Sequence, residues 1–86
     1  MRAEEIIIRF VVTEKAIKLM EENNTITIIV NINATRKQIK EAFEKLYNAK
    51  VKKVNTLITI HGEKKAYIKL SKEYKAEELA SKVGVI

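Results

Sequence analysis

The sequence predicts an α+β fold in which helices pack on a small, mainly antiparallel sheet of four strands. Residues 25–32 place apolar side chains at every second position, the period that is typical of a strand. Residues 39–47 instead repeat apolar side chains at the i, i+3, i+4, i+7 spacing of one helical face. Residues 51–70 combine two strand patterns around one glycine, which indicates a hairpin. The predicted order is strand, helix, strand, helix, strand, strand, helix, with short connections.

The N-terminal part predicts a strand followed by a helix. Residues 6–12 are rich in β-branched side chains and form the predicted first strand. Thr13 is placed to cap a helix over residues 14–22. Asn23 and Asn24 then tolerate the left-handed backbone that ends a helix. The buried side of this helix is predicted to comprise Ala16, Ile17, Leu19 and Met20.

The middle of the chain predicts the second strand and the second helix. The strand over residues 25–32 is expected to bury Ile26, Ile28, Val30 and Ile32 on one face. Thr35 and Gln38 have the spacing of a capping box, so a helix begins there and ends at Asn48 or Ala49. Its predicted apolar stripe is Ile39, Ala42, Phe43, Leu46 and Tyr47.

The hairpin over residues 51–70 is predicted to have one core face and one cationic face. Its turn is predicted at His61–Glu63, where Gly62 can take the positive φ that a three-residue loop needs. The predicted core face comprises Val54, Thr56, Ile58, Ile60, Ala66, Ile68 and Leu70. A short last helix then places Ala76, Leu79, Ala80 and Val83 at helical spacing, and Gly84 stands at its C-terminal cap.

The composition bounds the classes of protein to which the chain can belong. The 86 residues, of which 47% are apolar, predict a single domain over residues 1–86. A net charge of +6 favours a polyanionic partner, although charge alone does not choose among RNA, DNA and an acidic membrane. No cysteine, signal peptide or membrane-spanning apolar run is evident, so we expect an intracellular protein without membrane insertion.

The cationic face of the hairpin is the first candidate binding surface. Lysines neutralise phosphates, a tyrosine can stack on a base, and an asparagine can donate and accept at a base edge. A solvated strand face whose lysines discourage edge pairing also fits the pattern. The candidate residues are Lys50, Lys52, Lys53, Asn55, Lys64, Lys65, Tyr67 and Lys69.

The sequence lacks the constellations of an enzyme, a metal site or a cofactor site. His61 and Glu63 lie in the predicted turn without a third ligand or a second catalytic group. Two glycines do not supply a phosphate-binding loop or a dinucleotide fingerprint. We therefore expect no catalytic residues, no metal and no cofactor.

A second cluster, Thr13, Glu14 and Lys15, fits ordinary helix capping, with Arg9 as a nearby cation.

Three motifs of the chain are distinctive in combination: RFVVTEKA over residues 9–16, VNTL over residues 54–57 and KKAYIKL over residues 64–70. Together they resemble the archaeal form of the universal large-subunit ribosomal protein family numbered twenty-three. The resemblance covers nearly the whole chain and keeps the spacing among the motifs. The short turn resembles the archaeal form, because bacterial members carry a long loop there that reaches into the peptide exit tunnel.

The resemblance implies a structural protein of the large ribosomal subunit that binds its rRNA near the exit tunnel. It also implies neighbouring ribosomal proteins as partners, and docking of tunnel factors such as the signal recognition particle. The implied rRNA-binding set adds Arg9, Thr13 and Lys15 to the hairpin residues. The resemblance implies a docking position at Glu14. The candidate docking surface is the charged side of the first predicted helix, with Glu14, Lys18, Glu21 and Glu22.

Two departures and two alternatives accompany this interpretation. Phe10 and Ile60 stand where the family often has proline, so the backbone there is less constrained. One alternative function is a basic protein-docking module that does not bind rRNA. The other is a small acylphosphatase-like hydrolase, which would need a glycine-rich anion-binding loop beside an arginine, whereas Arg9 precedes a bulky apolar run.

Overall fold

The computed structural model describes residues 1–85 as a four-stranded antiparallel sheet with helices packed on it, which confirms the predicted α+β class. Its strands lie in the order β1-β2-β4-β3, so the hairpin strand β4 is central and β3 forms an edge. The elements are α1 (Ala3–Ile6), β1 (Ile7–Phe10), α2 (Glu14–Asn23), β2 (Thr25–Val30), α3 (Arg36–Tyr47), β3 (Val51–Ile58), β4 (Lys64–Leu70) and α4 (Ala76–Lys82).

One hydrophobic core lies between the helices and one face of the sheet. Phe43 of α3 is fully buried, as are Ile28 of β2 and Ile68 of β4. Tyr47 packs edge-on against Phe10, with ring centroids 5.4 Å apart. Phe10, which stands where the resembled family often has proline, thus links β1 to α3. Each large apolar side chain that is fully buried here contributes roughly 1.5–3 kcal/mol to folding.

Several apolar residues predicted for the core lie outside it. Leu46 is 40% exposed, because α3 turns only Ile39, Ala42 and Phe43 fully inward. Ile32 is 52% exposed because β2 ends at Val30. The side chain of Asn31 accepts a bond from the Asn33 amide at 2.9 Å and turns the chain there.

The start of the chain also differs from the prediction. The first strand is shorter than predicted, and residues 3–6 form one helical turn instead. Ile6 belongs to this turn and buries its side chain in the core. The N-terminal segment therefore reaches the core through a helix as well as through β1.

The helix ends agree with the prediction. Thr13 accepts from the Ala16 amide at 3.1 Å, and Thr35 forms both bonds of its capping box with Gln38. Asn24 and Asn48 adopt left-handed φ angles of 53° and 51° at the ends of α2 and α3. Gly84 follows α4 at a φ of 83°, which suits a residue without a Cβ.

The hairpin turn lies one residue earlier than predicted. The Thr59 amide donates to the Glu63 carbonyl at 2.8 Å, and the Gly62 amide donates to the Thr59 carbonyl at 3.0 Å. These bonds close a three-residue loop of residues 60–62, in which Gly62 has the predicted positive φ, 78°. Ile58 and Ile60 project beyond the core near this loop, so their predicted burial is wrong.

Helix α2 lies beside β2 at the edge that the short β1 leaves uncovered. Its inner side reaches the core through Met20 and the partly buried Ile17. Its neighbouring side, with Leu19, borders the opposite face of the sheet. Leu19 is consequently only half-buried, in contrast to its predicted place in the core. This position of α2 gives the second face of the sheet a wall.

Candidate nucleic-acid interface

The face of the sheet opposite the core carries the predicted cationic residues in a regular array, here called the open face. The strand register aligns Asn55 with Tyr67 and Thr27 across three strands. A second row aligns Lys53 with Lys69 and Thr25. A third row aligns Leu57, Lys65, Ile29 and Arg9 across all four strands. The alternation of the hairpin strands therefore brings the predicted side chains onto one surface.

The β2 residues on the open face are buried, and the sequence pattern missed this. Thr25, Thr27 and Ile29 are 8%, 4% and 3% exposed. Helix α2 and the β1–α2 connection flank Thr27, while Arg9 and Lys65 occupy the register positions on either side of Ile29. A strand that is buried on both faces usually has a continuous apolar sequence. Thr25 and Thr27 interrupt the apolar sequence of β2, so its pattern predicted burial of one face only.

An open basin of about 430 Å³ lies between α2 and the open face. Lys15, Leu19 and Asn23 form its helical wall, because residues four apart lie on one side of a helix. The sheet side of the basin comprises Thr25, Lys53, Asn55, Tyr67 and Lys69. Sequence reasoning identified Lys15, Lys53, Asn55, Tyr67 and Lys69 but missed Leu19, Asn23 and Thr25. The four-residue spacing on α2 was the available signal for two of these.

A smaller hollow of about 20 Å³ adjoins the basin where α2 meets the sheet. It shares Lys15, Leu19 and Tyr67 with the basin and adds Thr13 and Lys65. The hydroxyl of Thr27 lines this region, is buried and has no hydrogen-bond partner in the structure.

Among residues 1–85, the lysines of the open face form no ion pair with an acidic side chain. Within residues 1–85, the ion pairs use only Arg2 and Arg9 as cations. Lys53 and Lys69 stand directly opposite each other in the register, although like charges at paired positions are unfavourable. A bound anion would relieve this repulsion, so the arrangement suits a phosphate.

Arg9 differs from the lysines because it is already engaged. Its guanidinium donates to the Glu63 carboxylate at 2.9 and 3.2 Å. Both side chains are about half exposed, so the pair contributes roughly 0–1 kcal/mol to stability. Arg9 lies on the open face, but phosphate would compete there with Glu63.

The remaining predicted rRNA-binding residues lie outside the basin, and two of them already make hydrogen bonds within the protein. Lys64 reaches toward the helical side, where its ammonium donates to the Ala34 carbonyl at 2.6 Å. Lys50 and Lys52 are exposed at the start of the edge strand, and Lys52 falls in a register irregularity between residues 51 and 53. The Thr13 oxygen accepts the helix-capping bond. These four residues are therefore not in the basin.

The predicted docking residues share the exposed side of α2. Glu14, Lys18, Glu21 and Glu22 are all exposed. On a helix of 3.6 residues per turn they lie opposite the buried Ala16 and Met20 and beside the stripe that lines the basin. Two neighbouring surfaces, one acidic in part and one basic, thus run along the same helix.

No group of three or more candidate metal-ligating side chains lies within residues 1–85. None of the helices in that range is long and apolar enough to cross a membrane. Partial burial raises the pKa of Tyr47 above its usual value of 10.0. This tyrosine lies on the core side of the sheet, where it packs on Phe10 and Phe43.

Comparison with known proteins gives concordant matches. The family model described as ribosomal protein L23 matches residues 5–76. A relative from Pyrobaculum aerophilum, named large ribosomal subunit protein uL23, is 63% identical over 78 residues. The alignment covers 91% of this chain and 96% of the relative.

Proposed function

The chain belongs to the ribosomal protein L23 family, and we propose that the open face of its sheet binds the RNA of the large ribosomal subunit. It is a structural constituent of that subunit in the cytoplasm, takes part in translation and is not an enzyme. As a ribosomal protein it has rRNA and other ribosomal proteins as partners.

The observation that carries the proposal is the basin between α2 and the open face. It collects Lys15, Lys53 and Lys69 around Tyr67 and Asn55. The lysines attract phosphates, and counterion release on contact makes a large contribution to RNA binding. The tyrosine and the asparagine offer a stacking surface and a base-edge partner. Lys65 extends the same face beyond the basin.

The other predicted rRNA-binding residues form an outer zone of the proposed interface. Arg9 lies on the open face and Thr13 borders it, but both already make internal bonds. Lys50 and Lys52 can meet phosphates at the sheet edge, where they are exposed. Lys64 is the weakest member, because its ammonium is directed to Ala34. We place all of residues 1–86 in one rRNA-binding domain, with the single core of the described residues as support.

A second function on the same chain is the docking of factors at the peptide exit tunnel. The exposed side of α2 supports it, because Glu14, Lys18, Glu21 and Glu22 lie together there without contributing to the core. This side is adjacent to the RNA-facing basin wall, so the protein can bind rRNA and a factor such as the signal recognition particle at once. Docking and RNA binding are therefore compatible.

Photo-crosslinking on intact large subunits tests both functions. A photoreactive residue is introduced at Lys53 or Lys69 on the open face, at Lys18 on α2, and at Lys40 on the exposed side of α3 as a control. We expect RNA adducts from the first two positions and protein adducts from Lys18 when the factor is present. RNA adducts should be scarce from Lys40. Protein adducts alone from Lys53 and Lys69 would overturn the rRNA assignment.

A further inference from the structure

We infer that the basin receives a single unpaired nucleotide, extruded from the folded rRNA, rather than the backbone of a regular duplex. This inference rests on the proposed function and names the RNA element that the open face recognises. The positive charge of the basin is not its only feature, because phosphate contacts alone would not require a depression with an aromatic and an aliphatic wall. Three features of the basin carry it.

The first feature is shape. The basin is a depression open to solvent that measures about 430 Å³, within the roughly 300–1,000 Å³ that is typical of small-molecule sites. Double-stranded RNA offers proteins mainly its phosphates and the 2′-hydroxyls of a shallow minor groove, whereas unpaired bases can be splayed out and inserted. A depression between a helix and a sheet therefore suits an extruded nucleotide.

The second feature is the pairing of a stacking surface with a base-edge partner. Tyr67 and Leu19 supply apolar surface to the basin. Asn55 is the register partner of Tyr67. Cross-strand partners on one face have Cβ atoms about 4.5–5.5 Å apart, so a base stacked on the tyrosine would have its edge within reach of the asparagine amide.

The third feature is the position of the like-charged pair. Lys53 and Lys69 face each other one row along from Asn55 and Tyr67. Successive same-face rows are separated by two residues, or about 7 Å. This offset is suited to a nucleotide whose phosphate lies at the lysine pair while its own base lies on the tyrosine. Lys15 on the helical wall would face the sugar and phosphate from the other side.

The test compares RNA hairpins that differ only in one bulged nucleotide. Fluorescence anisotropy measures binding of the full chain to a fully paired hairpin and to four hairpins with a single bulged A, C, G or U. We expect the wild-type protein to prefer at least one bulged hairpin. Tyr67→Ala should reduce that preference by about 5- to 150-fold, the equivalent of the roughly 1–3 kcal/mol of one base–aromatic stack. Tyr67→Phe should retain it.

Two further variants make the result specific. Tyr74→Ala removes an exposed tyrosine outside the basin and should leave the bulge preference unchanged. Asn55→Ala, at an exposed strand position, should narrow the differences among the four bulged bases without loss of the fold. Thermal unfolding of each variant checks that the fold is intact.

The outcomes separate this inference from the proposed function. Equal affinity for paired and bulged hairpins, with no effect of Tyr67→Ala or Asn55→Ala, would overturn the inference and leave rRNA binding by the open face in place. Binding to none of these hairpins, with the fold intact, would overturn the inference, and a failure to bind a large-subunit rRNA fragment as well would overturn both. A bulge preference that disappears in Tyr67→Ala but persists in Tyr67→Phe and Tyr74→Ala supports the inference.

Discussion

Removal of the open-face lysines should weaken the salt dependence of rRNA binding by an amount that can be calculated from the number of phosphate contacts. The perturbation replaces Lys15, Lys53, Lys65 and Lys69 with glutamine. Each phosphate contact contributes about 0.7–0.9 to the slope of log K against log salt. If all four lysines contact phosphates, the slope should become shallower by about 3. Between 1 M and 0.1 M salt, that difference corresponds to about a thousandfold in the binding constant.

The matched control removes the same charge from the helical side of the sheet. Lys37, Lys40, Lys45 and Lys82 are exposed on α3 and α4, so replacing them with glutamine also lowers the net charge of +6 by four. Filter binding of a large-subunit rRNA fragment over a salt series gives both slopes. We expect the control slope to stay close to that of the wild type.

Two results would refute the reasoning. Equal loss of slope in the two variants would mean that net charge, rather than the open face, determines binding. An unchanged slope in the open-face variant would mean that these lysines do not contact phosphates. Stability provides an internal check, because removal of the opposed Lys53 and Lys69 charges should not destabilise the fold.

Three further predictions concern the scaffold. Phe43→Ala should lower the free energy of unfolding by about 3–5 kcal/mol in urea titration, because the ring is fully buried, whereas the exposed Leu46→Ala should cost less than about 1 kcal/mol. Asn24→Gly should retain the left-handed backbone but lose the side-chain hydrogen bonds to the Tyr74 carbonyl at 2.8 Å and from the Ala76 amide at 2.7 Å, which lowers the free energy of unfolding by about 1–3 kcal/mol. Asn24→Ala should lower it further, because alanine disfavours the left-handed backbone. Equal stability of the two variants would contradict the capping role. Burial raises the pKa of Tyr47 above its usual value of 10.0, so the folded state holds the phenol proton more tightly than the unfolded chain does. The stability that this proton contributes is fully present below pH 10.0, and it is lost as the pH rises through the pKa of the folded state. Tyr47→Phe should therefore show a smaller fall in stability at alkaline pH than the wild type, and identical pH profiles would contradict this.

Local chemistry made the helix ends predictable from the sequence. The caps at Thr13 and Thr35 and the left-handed asparagines depend on backbone groups only a few residues away. The hairpin glycine is equally local, although the turn shifted by one residue because Thr59 and Glu63 close the loop. Such features need no knowledge of distant packing.

The tertiary placement of α2 was not predictable in the same way. Whether a helix covers a face or borders an edge depends on the length of the neighbouring strand, and β1 is shorter than its apolar run suggests. That difference places Leu19 in the basin and buries both faces of β2. Strand alternation predicted correctly that Lys53, Lys65 and Lys69 lie on the open face. The same alternation directs Lys64 to the opposite face, toward Ala34, so its inclusion in the rRNA-binding set did not follow from the pattern.

The most direct test of the central claim measures lysine accessibility in the wild-type particle. Reductive methylation followed by mass spectrometry compares each lysine in the isolated chain with the same lysine in the intact large subunit. The account predicts that Lys15, Lys53, Lys65 and Lys69 are protected in the subunit, that nuclease digestion of the rRNA restores their reactivity, and that Lys37 and Lys40 on α3 are less affected. Full reactivity of the open-face lysines in the intact subunit would contradict it.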